Sequence, residues 1–123
     1  MRIFLKYWLP ACICMGIIFI ASSIPGSQIP SAFPYQDIVF HAGAYLLLAF
    51  FFARALRTTW AGLKDYQVLG ITILYGVLYA LSDEWHQSFV PYRMATAFDV
   101  FVDTAGTCAG SLIHGLIIKP FSK

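Results

Sequence analysis

Tyr45-Leu46-Leu47-Leu48-Ala49-Phe50-Phe51-Phe52 lies inside an apolar run from about Ile38 to about Ala55. At ~1.5 Å rise per residue, a run of this kind covers most of the ~30 Å hydrocarbon core of a bilayer. Three more runs flank it: about Phe4 to Ser22, about Gln67 to Asp83, and about Phe98 to Ile118. Backbone N–H and C=O groups in lipid must bond within the protein, so each run is predicted to be a helix. The connectors agree. Pro25, Gly26, Pro30 and Pro34 break the chain between the first two runs, residues 54–66 form a short polar turn, and Pro91 and Arg93 punctuate residues 85–97. The fold class expected is all-α, a polytopic integral membrane bundle of four transmembrane helices. It is read as one domain over 1–123, with both termini on the inner side (N-in/C-in).

Composition points the same way. Of 123 residues, 59% are hydrophobic and 11% charged, against about 25% charged in soluble domains. In water this surface would carry large apolar patches; in lipid it need not be polar. The net charge of +2 comes with no basic stripe, so a nucleic-acid partner is not expected. Cys12, Cys14 and Cys108 stand within apolar runs and read as small packing residues rather than a redox or zinc motif. Arg2 and Lys6 precede the first run as in a signal peptide, and Leu9-Pro10-Ala11-Cys12 faintly resembles a lipoprotein cleavage box. The run is long enough to span, however, and an uncleaved first helix is expected.

The basic residues set an orientation. With both termini inside, Arg2, Lys6, Arg54, Arg57, Lys64, Lys119 and Lys123 are cytoplasmic, seven of the eight Lys and Arg, and Arg93 alone is outside. Tyr7, Trp8, Trp60, Tyr66, Trp85 and Tyr92 fall near the predicted boundaries, as interfacial aromatics do. In the same frame five of the six acids, Asp37, Asp83, Glu84, Asp99 and Asp103, gather at the non-cytoplasmic end with His41, His86 and Arg93; Asp65 alone is inside.

Depth separates a site from a charged rim. His41 and Asp103 lie within the apolar runs, about one helical turn below Asp37 and Asp99. Asp37, His41 and Tyr45 repeat at four-residue spacing and share a helix face, as do Asp99 and Asp103. Gly106 and Gly110 fall in the same sector as those two acids, so the face should meet another helix closely. Glu84 and Gln87 share a face of the third helix. His86 projects to the opposite side and is placed outside the cluster, while Asp83 is intermediate, capping the helix end or facing water. His114 lies near the inner end and reads as a packed or interfacial histidine. An ionised carboxylate in lipid needs a partner. Arg93 is the cation available, able to hold a carboxylate bidentately or to take a phosphate, and Asp37 is placed to orient His41.

Asp37-x-x-x-His41-x-x-x-Tyr45, then Ser82-Asp83-Glu84-x-x-Gln87-x-Phe89-x-Pro91-x-Arg93, then Asp99-x-x-x-Asp103-x-x-Gly106-x-x-x-Gly110, resembles the VanZ-like family, as does Ser22-Ser23-x-Pro25. The resemblance covers nearly the whole chain. It implies a bacterial cytoplasmic-membrane protein of the cell envelope, in a family named for a member linked to teicoplanin resistance, and it implies no known reaction. Two positions depart from the family's common pattern: Asp103 stands where Asn is common, and Ile38 where Lys often follows the first Asp.

Three functions are compatible with the cluster. The first is binding: Asp37, His41, Glu84, Gln87, Arg93, Asp99 and Asp103 would take an envelope lipid, a phosphate-bearing carrier or a glycopeptide-like ligand. The second is an intramembrane hydrolase or transferase, with Asp37, His41 or Glu84 as acid or base and Ser82 the nearest serine; no G-x-S-x-G motif is present. A metal-assisted form would use His41 with Asp37, Glu84 and Asp103 around zinc or manganese. The third is a structural or assembly role without a ligand. Beyond the lipid bilayer, a homo-oligomer is compatible with the size of the chain, and no cofactor follows from the sequence.

Overall fold

The computed structural model describes residues 1–118. Within them the chain is helical and has no strand. A π-helical turn, Phe4–Trp8, runs into α1, Leu9–Ser22. A short 3-10 turn at Gly26–Gln28 follows, then α2, Gln36–Thr59, α3, Asp65–Gln87, and α4, Ala97–Ile117. Each of the four segments is long and apolar enough to cross a membrane.

The helices overrun the apolar stretches of α2 and α3 by a few residues at each end. A helix need not stop at the hydrocarbon edge, because a further polar turn stays hydrogen-bonded in the interface. The starts of these turns are fixed locally. At α2, Gln36 Oε1 accepts from the Ala32 N–H and its Nε2 donates to the Pro30 carbonyl, both at 2.7 Å. At α3, Gln67 Oε1 accepts from the Lys64 N–H at 2.9 Å. At α4, Thr96 Oγ1 accepts from the Asp99 N–H at 3.2 Å and donates to Asp99 Oδ2 at 2.7 Å, an N-cap that satisfies a donor otherwise orphaned at the helix start.

α4 packs along α2 and also against α3, while α1 lies on the outside against α2 and α3. Gly106 and Gly110 make the α2–α4 contact possible. A Cβ on Gly106 would run into the Ala42 carbonyl, and one on Gly110 into that of Leu46. The sequence places these glycines on an interface, and the structure puts α2 against them. The apolar centre is built by Tyr45, Leu48, Phe52, Ala53, Leu56, Val68 and Ala80, with Phe52 stacked on Tyr75 at 4.1 Å. Large apolar side chains such as Ile17, Ile20, Leu47, Leu74, Leu78 and Phe101 are exposed, as suits a surface facing lipid tails. The cysteines are free; Cys12 is exposed, and Cys14 and Cys108 are half-buried.

The antiparallel order divides the molecule into two ends. The turn between α2 and α3 and the start of α1 bring Arg2, Lys6, Arg54, Arg57 and Lys64 to one end. There Arg57 pairs with Asp65, and Arg54 lies 4.9 Å over the Tyr7 ring. Lys119 and Lys123, counted above with the same end, lie outside the described residues. The two longer connections meet at the other end, where the Gly26 N–H donates to the Pro91 carbonyl at 3.1 Å. That end carries the acids. His114 belongs to the first end: it is 5% exposed and edge-on to Phe50, a packed residue rather than an interfacial one.

Candidate functional site

Three helices contribute to the centre of the polar end. His41 of α2 faces α4, where its Nδ1 lies 2.9 Å from Asp103 Oδ1. Asp103 is fully buried and His41 partly so. This corrects the sequence expectation that Asp37 orients His41. Asp37 is in the first turn of α2 and exposed, whereas the glycine seam brings α4 close enough for Asp103 to take that role. Gly106, three residues after Asp103, sets the approach.

Glu84 of α3 is 7% exposed. Its Oε2 accepts from the Thr96 N–H at 3.0 Å, so the residue ties the end of α3 to the start of α4. Among the described residues its Oε1 has no hydrogen-bond partner, nor has Asp103 Oδ2, nor the Tyr45 hydroxyl, and all three atoms are buried. Buried polar atoms without partners are uncommon and call for a reason. One donor atom from each of His41, Glu84 and Asp103 lies within 4.8 Å of the others. Asp37, the fourth metal candidate from the sequence, is not in this group.

Asp83 is the second correction. It neither caps the helix nor faces water: it is 5% exposed, and Ser22 of α1 donates to its Oδ1 at 2.6 Å. Gln87 Nε2 lies 3.5 Å from its other oxygen. Adjacent residues on a helix point about 100° apart. Because α3 sits between α1 and α4, Asp83 turns to α1 and Glu84 to α4. His86 stays outside the cluster, as its helical projection predicts, but it packs on α1, stacked on Phe19 at 4.6 Å and 2.9 Å from Ser23 Oγ.

For Arg93 the sequence left two roles open, holding a carboxylate or taking a phosphate. It pairs with no carboxylate among the described residues. Its Nη2 donates to the Ala21 carbonyl at 2.8 Å and its Nε to that of Ile24 at 3.2 Å, so it caps the carbonyl end of α1. Asp99 is half-buried and held by Thr96. Ser82 is exposed, and its hydroxyl donates to the Tyr79 carbonyl of its own helix at 2.8 Å, so nothing directs it toward the cluster. The sequence reading missed Asp83 and Ser22 as a buried pair and Thr96 as a clamp. The Ser22-Ser23 step at the end of α1 was the available signal for the first; Thr96-x-x-Asp99 marks Thr96 as a helix start, but no local pattern ties it to Glu84.

Two cavities adjoin this centre. One, of about 310 Å³, lies between the polar-end halves of α1 and α2. Its walls are largely apolar, including Ile17, Ile18, Ile24, Phe40 and Ala44, and Ser22, Tyr45 and Asp83 also line it. The other, of about 450 Å³, lies among the loops and is lined by Ser31, Gln36, Tyr92 and Asp99 with several apolar neighbours. Ile29, Asp37, His41, Gln87 and Arg93 line both. Tyr35 and Tyr92, on the wall of the second cavity, have φ of 59° and 60°. Left-handed backbone is uncommon for a bulky residue and concentrates where surrounding structure enforces it, functional sites included.

Four spanning helices around buried polar groups define a multi-pass membrane protein with an internal polar site. The chain matches the VanZ/LLP1 family over residues 7–118 and belongs to it. No curated protein and no solved structure matches the chain.

Proposed function

We propose that this VanZ-like protein binds an anionic amphiphile of the cell envelope at its polar end, with that end on the non-cytoplasmic side of the bacterial inner membrane. The observation that carries this reading is the junction of the two cavities. An apolar space at the level of the helices meets a more polar one among the loops, and Arg93 and His41 stand on the shared wall. A lipid tail would lie in the first and a charged head group in the second. The exposed rim residues Ile17 and Phe40 bring the first cavity to the lipid-facing surface, so a ligand can enter sideways from the leaflet. Arg93 uses Nε and Nη2 on the carbonyls of α1, and its other N–H groups remain for a phosphate or carboxylate. The partition of Lys and Arg supports the orientation.

An anionic phospholipid, an isoprenoid phosphate carrier and a glycopeptide-like amphiphile share this chemistry, and one experiment separates them. The detergent-purified protein is heated with each ligand, with zwitterionic phosphatidylcholine as control. A ligand at 100 times its Kd stabilises the fold by about 2.7 kcal/mol, a rise of several degrees in Tm, and Arg93→Ala should lose most of that rise. If no anionic amphiphile stabilises more than phosphatidylcholine, or if Arg93→Ala responds like the wild type, the reading fails. A response to the glycopeptide alone would tie the site to the resistance that named the family; a response to lipid phosphates alone would separate this chain from it.

A further inference from the structure

We propose that His41, Glu84 and Asp103 form a binding site for one divalent transition-metal cation. Their donor atoms come from three helices, α2, α3 and α4, and already lie within 4.8 Å of one another. The His41 Nδ1–Asp103 Oδ1 separation of 2.9 Å is a hydrogen-bond length. It is somewhat under the roughly 3.4 Å between neighbouring donors of a tetrahedral site with bonds of about 2.1 Å. A cation would replace the proton from a position to one side of the line joining the two atoms, with a small outward shift of both side chains.

The bare oxygens give the second, independent observation. Each carboxylate is tethered through one oxygen, Glu84 Oε2 by the Thr96 N–H and Asp103 Oδ1 by His41. Each leaves the other, Glu84 Oε1 and Asp103 Oδ2, buried without a partner. The two residues are 7% and 0% exposed. A buried carboxylate left half-satisfied is costly, and here two such groups share one cluster. Arg93 does not balance them: it pairs with no carboxylate among the described residues and donates instead to the carbonyls of α1. One divalent cation would take up the free lone pairs and supply the positive charge that both carboxylates need when ionised.

The donor set selects the metal. Oxygen-only sites suit magnesium and calcium, whereas an imidazole beside two carboxylates suits zinc or manganese. Three protein ligands leave a coordination position for water or a ligand oxygen, and His41 is on the wall shared by the two cavities. The scaffold is rigid: Gly106 and Gly110 hold α4 against α2, and Glu84 locks α3 to the cap of α4. This inference is independent of the amphiphile reading and stands or falls on metal alone.

The full chain, purified in detergent on a tag free of histidine, is stripped with chelator, incubated with zinc or manganese alone and desalted. Metal content is then measured by mass spectrometry and unfolding by heat. The wild type should retain about one equivalent per chain and melt higher with metal than without. Glu84→Gln and Asp103→Asn keep side-chain shape and should each weaken retention at least about tenfold, whereas Asp65→Asn, paired with Arg57 at the opposite end of the bundle, should retain metal as the wild type does. Circular dichroism reports whether each variant is helical. Two results overturn the proposal. One is a folded wild type that holds less than a tenth of an equivalent and gains no stability from either metal. The other is undiminished retention in whichever of the Glu84 and Asp103 variants folds.

Discussion

The contact of α2 with α4 and the contact of α1 with the rest of the bundle are built on different physics. Between α2 and α4 there is no room for a Cβ at Gly106 or Gly110, and the backbones themselves touch. Without a hydrophobic drive in lipid, close packing of this kind is what holds helices together. α1 buries only Ala11, Ile18 and Ser22. It is held by scattered polar bonds: Ser22 to Asp83, Tyr79 to the Met15 carbonyl at 2.7 Å, Trp8 Nε1 to Thr59 at 2.8 Å, and Arg93 to the carbonyl end of the helix. The seam fixes the geometry of His41 and Asp103. α1 is a wall, with the apolar cavity in the space it leaves. Elements with few buried apolar contacts are those that open locally at low cost, so α1 is the element of the bundle that separates most readily.

That contrast can be broken most directly at glycine. Gly110→Val should cost about 2–3 kcal/mol or more through overpacking, seen as a large fall in Tm in detergent. Gly16→Ala on α1, where an added Cβ meets nothing within 4 Å, should leave Tm unchanged or slightly raised. Equal losses at both positions would mean that the seam has no special standing. A smaller effect tests the polar attachment of α1: Ser22→Ala removes the bond to Asp83 and should cost about 1 kcal/mol, near the upper part of the range for side-chain bonds in membranes. The fall in Tm should come with faster cleavage by a protease acting in the loop before α2. A loss as large as at Gly110 would show α1 to be as integral as α4. The smallest effect belongs to the other end, where Asp65 of the Arg57 pair is largely exposed. Asp65→Asn should change stability by no more than about 0.5 kcal/mol, and that change should vanish in high salt.

The residues that reason well from sequence are those whose role follows from spacing along one helix. Asp99, Asp103, Gly106 and Gly110 fall in one sector by counting, and the structure sets the last three against α2. His86 leaves the cluster by the same count. The residues that reasoned poorly depend on which helix lies alongside. Asp37 was given to His41 because the two are four apart, yet side chains at a helix start reach solvent, and a neighbouring helix supplied a better partner from 62 residues away. Asp83 was left at the edge because a projection of α3 alone cannot show that α1 covers that side. Arg93 was left between a carboxylate and a phosphate on charge, and the carbonyls at the end of α1 hold it instead.

The sequence by itself determined four apolar spans, the gathering of bases at one end and acids at the other, and a glycine face on α4. These are properties of hydrophobic length and helical period, which each segment carries without its neighbours. Only the tertiary structure decided that His41 meets Asp103, that Asp83 is buried on Ser22, and that Glu84 and Asp103 each keep a bare oxygen beside an imidazole. These depend on the rotation and separation of packed helices, set by contacts far apart in the chain.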